Sequence, residues 1–370
     1  MIRYLFLLLF ISCSSNNHEK KIDSFLESIK KKYAPDKRVA LFDIRFSHYN
    51  NNLVLDGETN LLAAKEDFLN ILDSLDIKYD DNIDLLPNEK IYGIINNSVG
   101  NLRGKPSHSS ELVSQTLLGT KVNILKKEGE WYLIQTPDNY ISWIDHGGIA
   151  IVSETEYLNY YKDNYIFNQI QGFTYESIHK KEIVSDLVVG SILSVIDKKN
   201  NFYKIQYPDN RVGWVDSRYL SKVNVNSKSS ASDLIINSKK FIGVPYLWGG
   251  TSSKGFDCSG FTKTVYLMSG LVIPRDASQQ VNEGLLVDSE REWDKLQEGD
   301  LMFFGYYKEG IRRIDHVAIW MGNGNFIQAS KNVRINSVYS DNPAFDKYHM
   351  DKYIETRRVI GHETDGVKKL

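Results

Sequence analysis

Gly255-Phe256-Asp257-Cys258-Ser259-Gly260-Phe261 is the stretch on which the reading of this 370-residue chain turns. Cys258 is one of two cysteines, and the other, Cys13, sits in an N-terminal segment with its own explanation. A lone thiol between glycine-rich sequence and a helix-like pattern is a candidate nucleophile rather than half of a disulfide. The pattern after it places Phe261, Val265 and Met268 at helical spacing, and Gly270 ends it. Cys258 is thus expected at a helix N-terminus. There the dipole and unpaired backbone N–H groups favour a thiolate, so the expected thiol pKa is lowered. The competing reading is a buried structural cysteine.

A base is needed next. His48, His108, His146, His179, His349 and His362 lie in polar stretches, whereas His316 opens His316-Val317-Ala318-Ile319-Trp320-Met321, a strand by its β-branched and aromatic content. Gly322-Asn323-Gly324 follows, then a second strand, Asn325-Phe326-Ile327-Gln328-Ala329-Ser330, which makes a hairpin. Register decides whether His316 and Gln328 meet. A loop of 322–325 pairs Ile319 with Gln328 and leaves His316 on the opposite face. A loop of 322–324, with Gly324 left-handed at a bulge, pairs Ala318 with Gln328 and makes His316 and Gln328 diagonal neighbours on one face. In that register Gln328 could accept the imidazole N–H and orient the ring, as the third member of a Cys-His triad does. Otherwise His316 is an ordinary strand histidine and Gln328 a polar residue facing water.

Residues 231–362 resemble the NlpC-type papain-like cell-wall peptidases. The matching pieces are Pro245-Tyr246-Leu247-Trp248-Gly249-Gly250, Phe256 to Phe261, Pro274-Arg275-Asp276, Glu298 to Phe304, Asp315 to Ile319, and Phe326 to Ser330. Their joint order and spacing carry the resemblance. One departure is Gln328, where the family most often has histidine; glutamine can orient an imidazole but carries no charge.

The net charge is −2 and the pI about 6.5, which argues against nucleic acid as a partner. Residues 1–19 read as a signal peptide and tether: a basic start, the apolar run Leu5 to Ile11, then Ser12-Cys13. Phe10-Ile11-Ser12-Cys13 looks like a bacterial lipoprotein cleavage box, with Cys13 as the lipidated residue. A plain signal peptide cut elsewhere is the alternative. Residues 20–90 read as a small α/β unit, with a helix from Asp23 to Tyr33, strands at Arg38–Ile44 and Asn52–Asp56, and an amphipathic helix from Ala63 to Leu75 bearing Phe68, Ile71, Leu72 and Leu75 on one face.

An internal repeat follows. Gly119 to Asp145 aligns on Gly190 to Asp216 without gaps at an offset of 71 (190 − 119). Alternating apolar residues, a Pro-Asp-Asn turn and a closing Trp describe short strands of a small barrel, present at 91–155 and 165–224. The pattern resembles bacterial SH3-like domains. Trp143 and Trp214 recur at one strand position and read as core. Tyr140 and Arg211 differ at equivalent turn positions and are candidates for copy-specific work.

The expected fold is α+β: a papain-like C-terminal domain preceded by two SH3-like β-barrels and a small N-terminal α/β segment. Family members with this layout are γ-D-glutamyl-L-diamino acid endopeptidases, which cut peptidoglycan stem peptides. The resemblance implies Cys258 as nucleophile, His316 as base, Gln328 as orienting residue and Tyr246 as an oxyanion donor beside the Cys258 N–H. It implies a pocket of Glu111, Tyr140 and Asp276 for a free N-terminal L-Ala amine, walled by Trp248, with Asp257 and Ser259 beside the nucleophile. Arg275 is a chemical candidate for the D-Glu carboxylate, with a simply structural arginine as the alternative. No metal or cofactor is expected. The protein is expected to be a monomeric exported lipoprotein, membrane-anchored through its lipid in the periplasmic cell envelope. Two rival readings stand beside this one: a peptidoglycan-binding protein with a degenerate peptidase domain, and an amidase or acyltransferase of the same fold.

Overall fold

The computed structural model describes residues 7–49, 52–160, 164–222 and 230–369, with side chains from residue 19 onward except at 164. Two units form, Met1–Lys90 and Ile91–Leu370. The Cys13 side chain and the start of the apolar N-terminal run lie outside the described residues. No described helix is long and apolar enough to cross a membrane.

In the first unit a helix runs over Leu7–Tyr33, well upstream of the expected start at Asp23. Strand Asn52–Thr59 is central. It pairs antiparallel with Phe42–Tyr49 and parallel with Tyr79–Leu85, and helix Leu62–Ser74 makes the crossover. That helix buries Ala64, Phe68 and Leu72 along one i, i+4 row. Leu75 ends the helix and is exposed, so the apolar stripe is one residue shorter than expected. Residues 37–39 form a turn and the strand starts only at Phe42, because the Asp36 carboxylate accepts both the backbone N–H and the guanidinium N–H of Arg38. Strand Tyr79–Leu85 escapes sequence reading because only Ile83 of its seven residues is buried.

In the second unit the repeat becomes two seven-stranded barrels. Strands Leu112–Leu117, Lys121–Glu128, Trp131–Gln135 and Ile141–Asp145 recur as Ile183–Val188, Ile192–Lys199, Phe202–Gln206 and Val212–Asp216, each displaced by 71 residues (183 − 112; 212 − 141). Asn139 and Asn210 both hold φ near +67° at the shared turn, a conformation asparagine tolerates. Trp143 is buried, as a core residue should be, while Trp214 is only half-buried. Arg211 reaches across to donate to the Asn96 carbonyl of the first barrel, 3.1 Å away.

The C-terminal part is a six-stranded antiparallel sheet in the order Leu285–Asp288, Tyr353–Arg358, Leu301–Lys308, Ile311–Gly322, Asn325–Ser330, Asn332–Ser337. Helix Cys258–Met268 lies on one face, where Phe261 and Val265 pack with Val317, Ile319, Ile327 and Ala329. The alternate residues Phe304, Ala318, Trp320 and Phe326 pack on the other face with Met350 and Tyr353.

Candidate active site

Asp257 starts the helix that carries Cys258. It is the N-cap, and its Oδ1 accepts from the Gly260 N–H at 2.7 Å. Gly260 must be glycine: a Cβ there would sit 2.0 Å from the Gly250 carbonyl oxygen. Cys258 is therefore the first helical residue, as its sequence context predicts. Its thiol lies against the backbone N–H groups of Ser259 and of Val317, the residue after His316.

The thiol pKa runs opposite to the expectation. Burial, aided by the Asp257 carboxylate, pushes the Cys258 thiol up to about 12, and the two N–H groups offset this only in part. Burial also pulls His316 down to about 3, with the neighbouring His349 adding to the effect and Gln328 opposing it. At rest the site holds a neutral thiol and a neutral imidazole.

His316 and Gln328 meet directly. The His316 Nε2–H donates to Gln328 Oε1 at 2.5 Å, with both side chains buried. The hairpin pairs Ile319 with Ile327 and Trp320 with Phe326, and this places Ala318 opposite Gln328. The register is the second of the two expected, but the turn differs. Asn323 and Gly324 form a two-residue loop with φ of 52° and 74°, and the extra residue is a bulge between Trp320 and Gly322. The Gln328 amide nitrogen donates to Asp346 Oδ2 at 2.7 Å and Asn336 Oδ1 at 2.9 Å. Asp346 in turn accepts from His349 Nδ1 at 2.8 Å, and the His349 ring lies 4.2 Å from that of His316.

Sequence reasoning missed this outer layer. His349 sits in a five-residue helix capped by Asp346, whose cap spacing is readable but whose position behind Gln328 is not. Tyr246 is half-exposed. Burial raises its hydroxyl pKa first, and the nearby Cys258 and Asp257 raise it further, so it is a neutral donor beside the thiol.

The first barrel supplies one wall. Trp248 Nε1–H donates to Glu111 Oε1 at 2.7 Å, joining the two residues expected around the amine. Gly249 holds φ +78°, and a Cβ there would meet the Leu112 carbonyl oxygen at 2.2 Å. Behind this contact Gln115 is buried. Its Oε1 accepts from the Thr251 N–H and the Ser252 hydroxyl, and its carbonyl accepts from the Thr251 hydroxyl.

Arg275 is not placed to take a substrate carboxylate. It is fully buried, ion-paired to Asp257 at 2.5 Å and hydrogen-bonded to Ser114 and Ser259. Removing one partner of such a pair costs about 3–5 kcal/mol, so its role is to hold the start of the Cys258 helix to the first barrel. The Asp257 and Ser259 side chains are likewise buried in this scaffold. Asp276 caps helix Ala277–Gln280 and stands 3.7 Å from Arg275, and buried Tyr140 lies close enough to act on the same guanidinium.

A cysteine at a helix N-terminus, facing a histidine strand whose imidazole is held by a polar third residue, defines a papain-like cysteine hydrolase. The NlpC/P60 family model matches residues 243–365, and the bacterial SH3 domain model matches 98–150 and 179–221. The chain is 29% identical over 266 residues to a γ-D-glutamyl-L-lysine dipeptidyl-peptidase of Bacillus cereus, covering 69% of this chain and 77% of that one. It is 32% identical over 228 residues to the enzyme of the same description in Bacillus subtilis, covering 59% and 72%. A crystal structure of an NlpC/P60 family protein from Bacillus cereus superposes with a TM-score of 0.61 at 25% identity, covering 73% of this chain and 99% of that one. The chain belongs to the NlpC/P60 family.

Proposed function

We propose that this protein is a cysteine peptidase that hydrolyses the bond between γ-D-Glu and the L-diamino acid in peptidoglycan stem peptides, and that it requires a free N-terminal L-Ala. The observation that carries the reading is the Trp248–Glu111 hydrogen bond, which sets an exposed carboxylate of the first barrel beside the nucleophile's own loop. A carboxylate there suits a cationic amine. The two Bacillus relatives are described as γ-D-glutamyl-L-lysine dipeptidyl-peptidases, and the matches run over 266 and 228 residues, longer than the peptidase-family segment 243–365 alone.

Cys258 Sγ attacks the amide carbonyl carbon while its proton passes to His316 Nδ1, the ring nitrogen that Gln328 leaves unengaged. The Cys258 backbone N–H and the Tyr246 hydroxyl are the donors for the oxyanion; one such donor is worth about 10²–10³ in kcat. The C–N bond then breaks, and the departing amine takes the proton from His316. Water, deprotonated by the same imidazole, hydrolyses the thioester and restores the thiol.

In this reading Glu111, Tyr140 and Asp276 receive the amine, Trp248 walls it, and Asp257 and Ser259 border the nucleophile. The work is done in the cell envelope, with the chain anchored through a lipid on Cys13. Comparing L-Ala-γ-D-Glu-L-Lys and its diaminopimelate counterpart with their N-acetylated forms tests the specificity. Cleavage confined to the free-amine peptides is expected, and equal cleavage of both forms would remove the amine pocket. Membrane partition of wild type and release of Cys13→Ser tests the anchor.

A further inference from the structure

We propose that Asp346 is a positioning residue of this reaction, acting through Gln328 to fix which end of the amide meets His316. The proposal rests on the reading of Cys258 and His316 as the reacting pair. The two ends of a glutamine amide are nearly the same size, and nothing in the glutamine itself decides which faces the imidazole. Turned one way, Oε1 accepts the His316 Nε2–H and leaves Nδ1 as the base. Turned the other way, the amide donates to Nε2 and moves the proton to Nδ1, which then has no lone pair to take the thiol proton.

Two acceptors at the amino end decide it: Asp346 Oδ2 at 2.7 Å and Asn336 Oδ1 at 2.9 Å. Gln328 is completely buried, so water cannot take over either bond. Asp346 is itself fixed. Its Oδ1 caps the His349 N–H, and its Oδ2 also accepts from His349 Nδ1. Asn336 is anchored as well, because its Nδ2 donates to the Ala344 carbonyl at 3.1 Å and so turns Oδ1 toward Gln328; Asp346, a carboxylate that can only accept, makes the shorter of the two bonds. Asp346 also sets a negative charge one hydrogen bond beyond the neutral Gln328. The other charged or titratable groups around this layer are His349 against the His316 ring, Lys352 paired with Asp315, and Arg334 at 3.7 Å from Asp346.

The test reads the His316 tautomer by long-range ¹⁵N–¹H correlation, in wild type and in Asp346→Asn, alongside kcat and KM. Wild type should show the Nε2–H form. Asp346→Asn should shift His316 toward the Nδ1–H form and lower kcat by about tenfold or more, on the scale of general-base catalysis, with KM changed less than about twofold. An Nδ1–H tautomer in wild type overturns the proposal, and that measurement needs no variant to fold. So does Asp346→Asn with an unmoved tautomer, whatever its kcat. Asn336→Leu leaves the helix cap intact and should lower kcat without raising KM; a rise in KM with kcat unchanged counts against the proposal. Because the tautomer is also readable in inactive Cys258→Ala, failure of the peptidase reading would show separately, as turnover by that variant.

Discussion

The Cys258 thiol is held in its neutral form because the burial that shields it also removes the water a thiolate needs. With the thiol near 12 and the imidazole near 3, the pair is uncharged across the whole interval between. The thiolate fraction therefore rises about tenfold for each pH unit above neutrality. Iodoacetamide should label Cys258 slowly at pH 7 and progressively faster toward pH 10. A rate already saturated at pH 7 would restore the lowered thiol pKa expected from the helix dipole. Gln328 makes the second prediction at this scale. Gln328→Ala strands the buried His316 N–H, so kcat should fall about tenfold to a hundredfold with KM little changed. Gln328→His, able to accept from His316 and donate to Asp346, should keep most of the activity. Steady-state kinetics of the two variants separates orientation from binding.

Among the elements, the hairpin of Ile311–Gly322 and Asn325–Ser330 carries the most functional weight, because a slip of one residue would carry Gln328 to the opposite face. Its register is held by the Asn323-Gly324 turn and the adjoining bulge. A Cβ on Gly324 would meet the Tyr339 ring at 2.0 Å and would also have to adopt φ +74°. Gly324→Ala should destabilise by about 1–2 kcal/mol from the backbone alone and lower kcat more than it raises KM. Thermal unfolding with kinetics checks this, and unchanged values would show that the turn does not govern the register.

Across the larger unit, the first barrel packs against the loop that leads into the helix of Cys258. Gln115 joins them with three accepted hydrogen bonds at a buried contact. Gln115→Leu would leave the Thr251 N–H and Ser252 hydroxyl without acceptors, at about 1–3 kcal/mol each. The expected result is a lower melting temperature and a raised KM for free-amine peptides, as Glu111 and Trp248 lose their shared alignment. Full stability with an unchanged KM would demote the barrel to a packing role.

The elements themselves were legible in the sequence wherever periodicity or exact repetition survives in the residues. The 71-residue repeat, the helix after Cys258 and the His316 hairpin follow from local pattern, because helices, turns and strands are encoded at short range. The joint order of short motifs around Cys258, His316 and Gln328 was enough to suggest the family. Three features were not legible. The polar strand Tyr79–Leu85 carries no period, since its pairing rather than its side chains holds it. The pKa of Cys258 depends on burial, which outweighs the helix N-terminus that the sequence displays. The layer behind Gln328 joins residues 328, 336, 346 and 349 through bonds that exist only once the sheet's last strands and the short helix have packed. For Arg275 the sequence left open a ligand for a substrate carboxylate or a structural residue, and the fold decides for the second, because Asp257, Ser114 and Ser259 converge on it only in the folded chain.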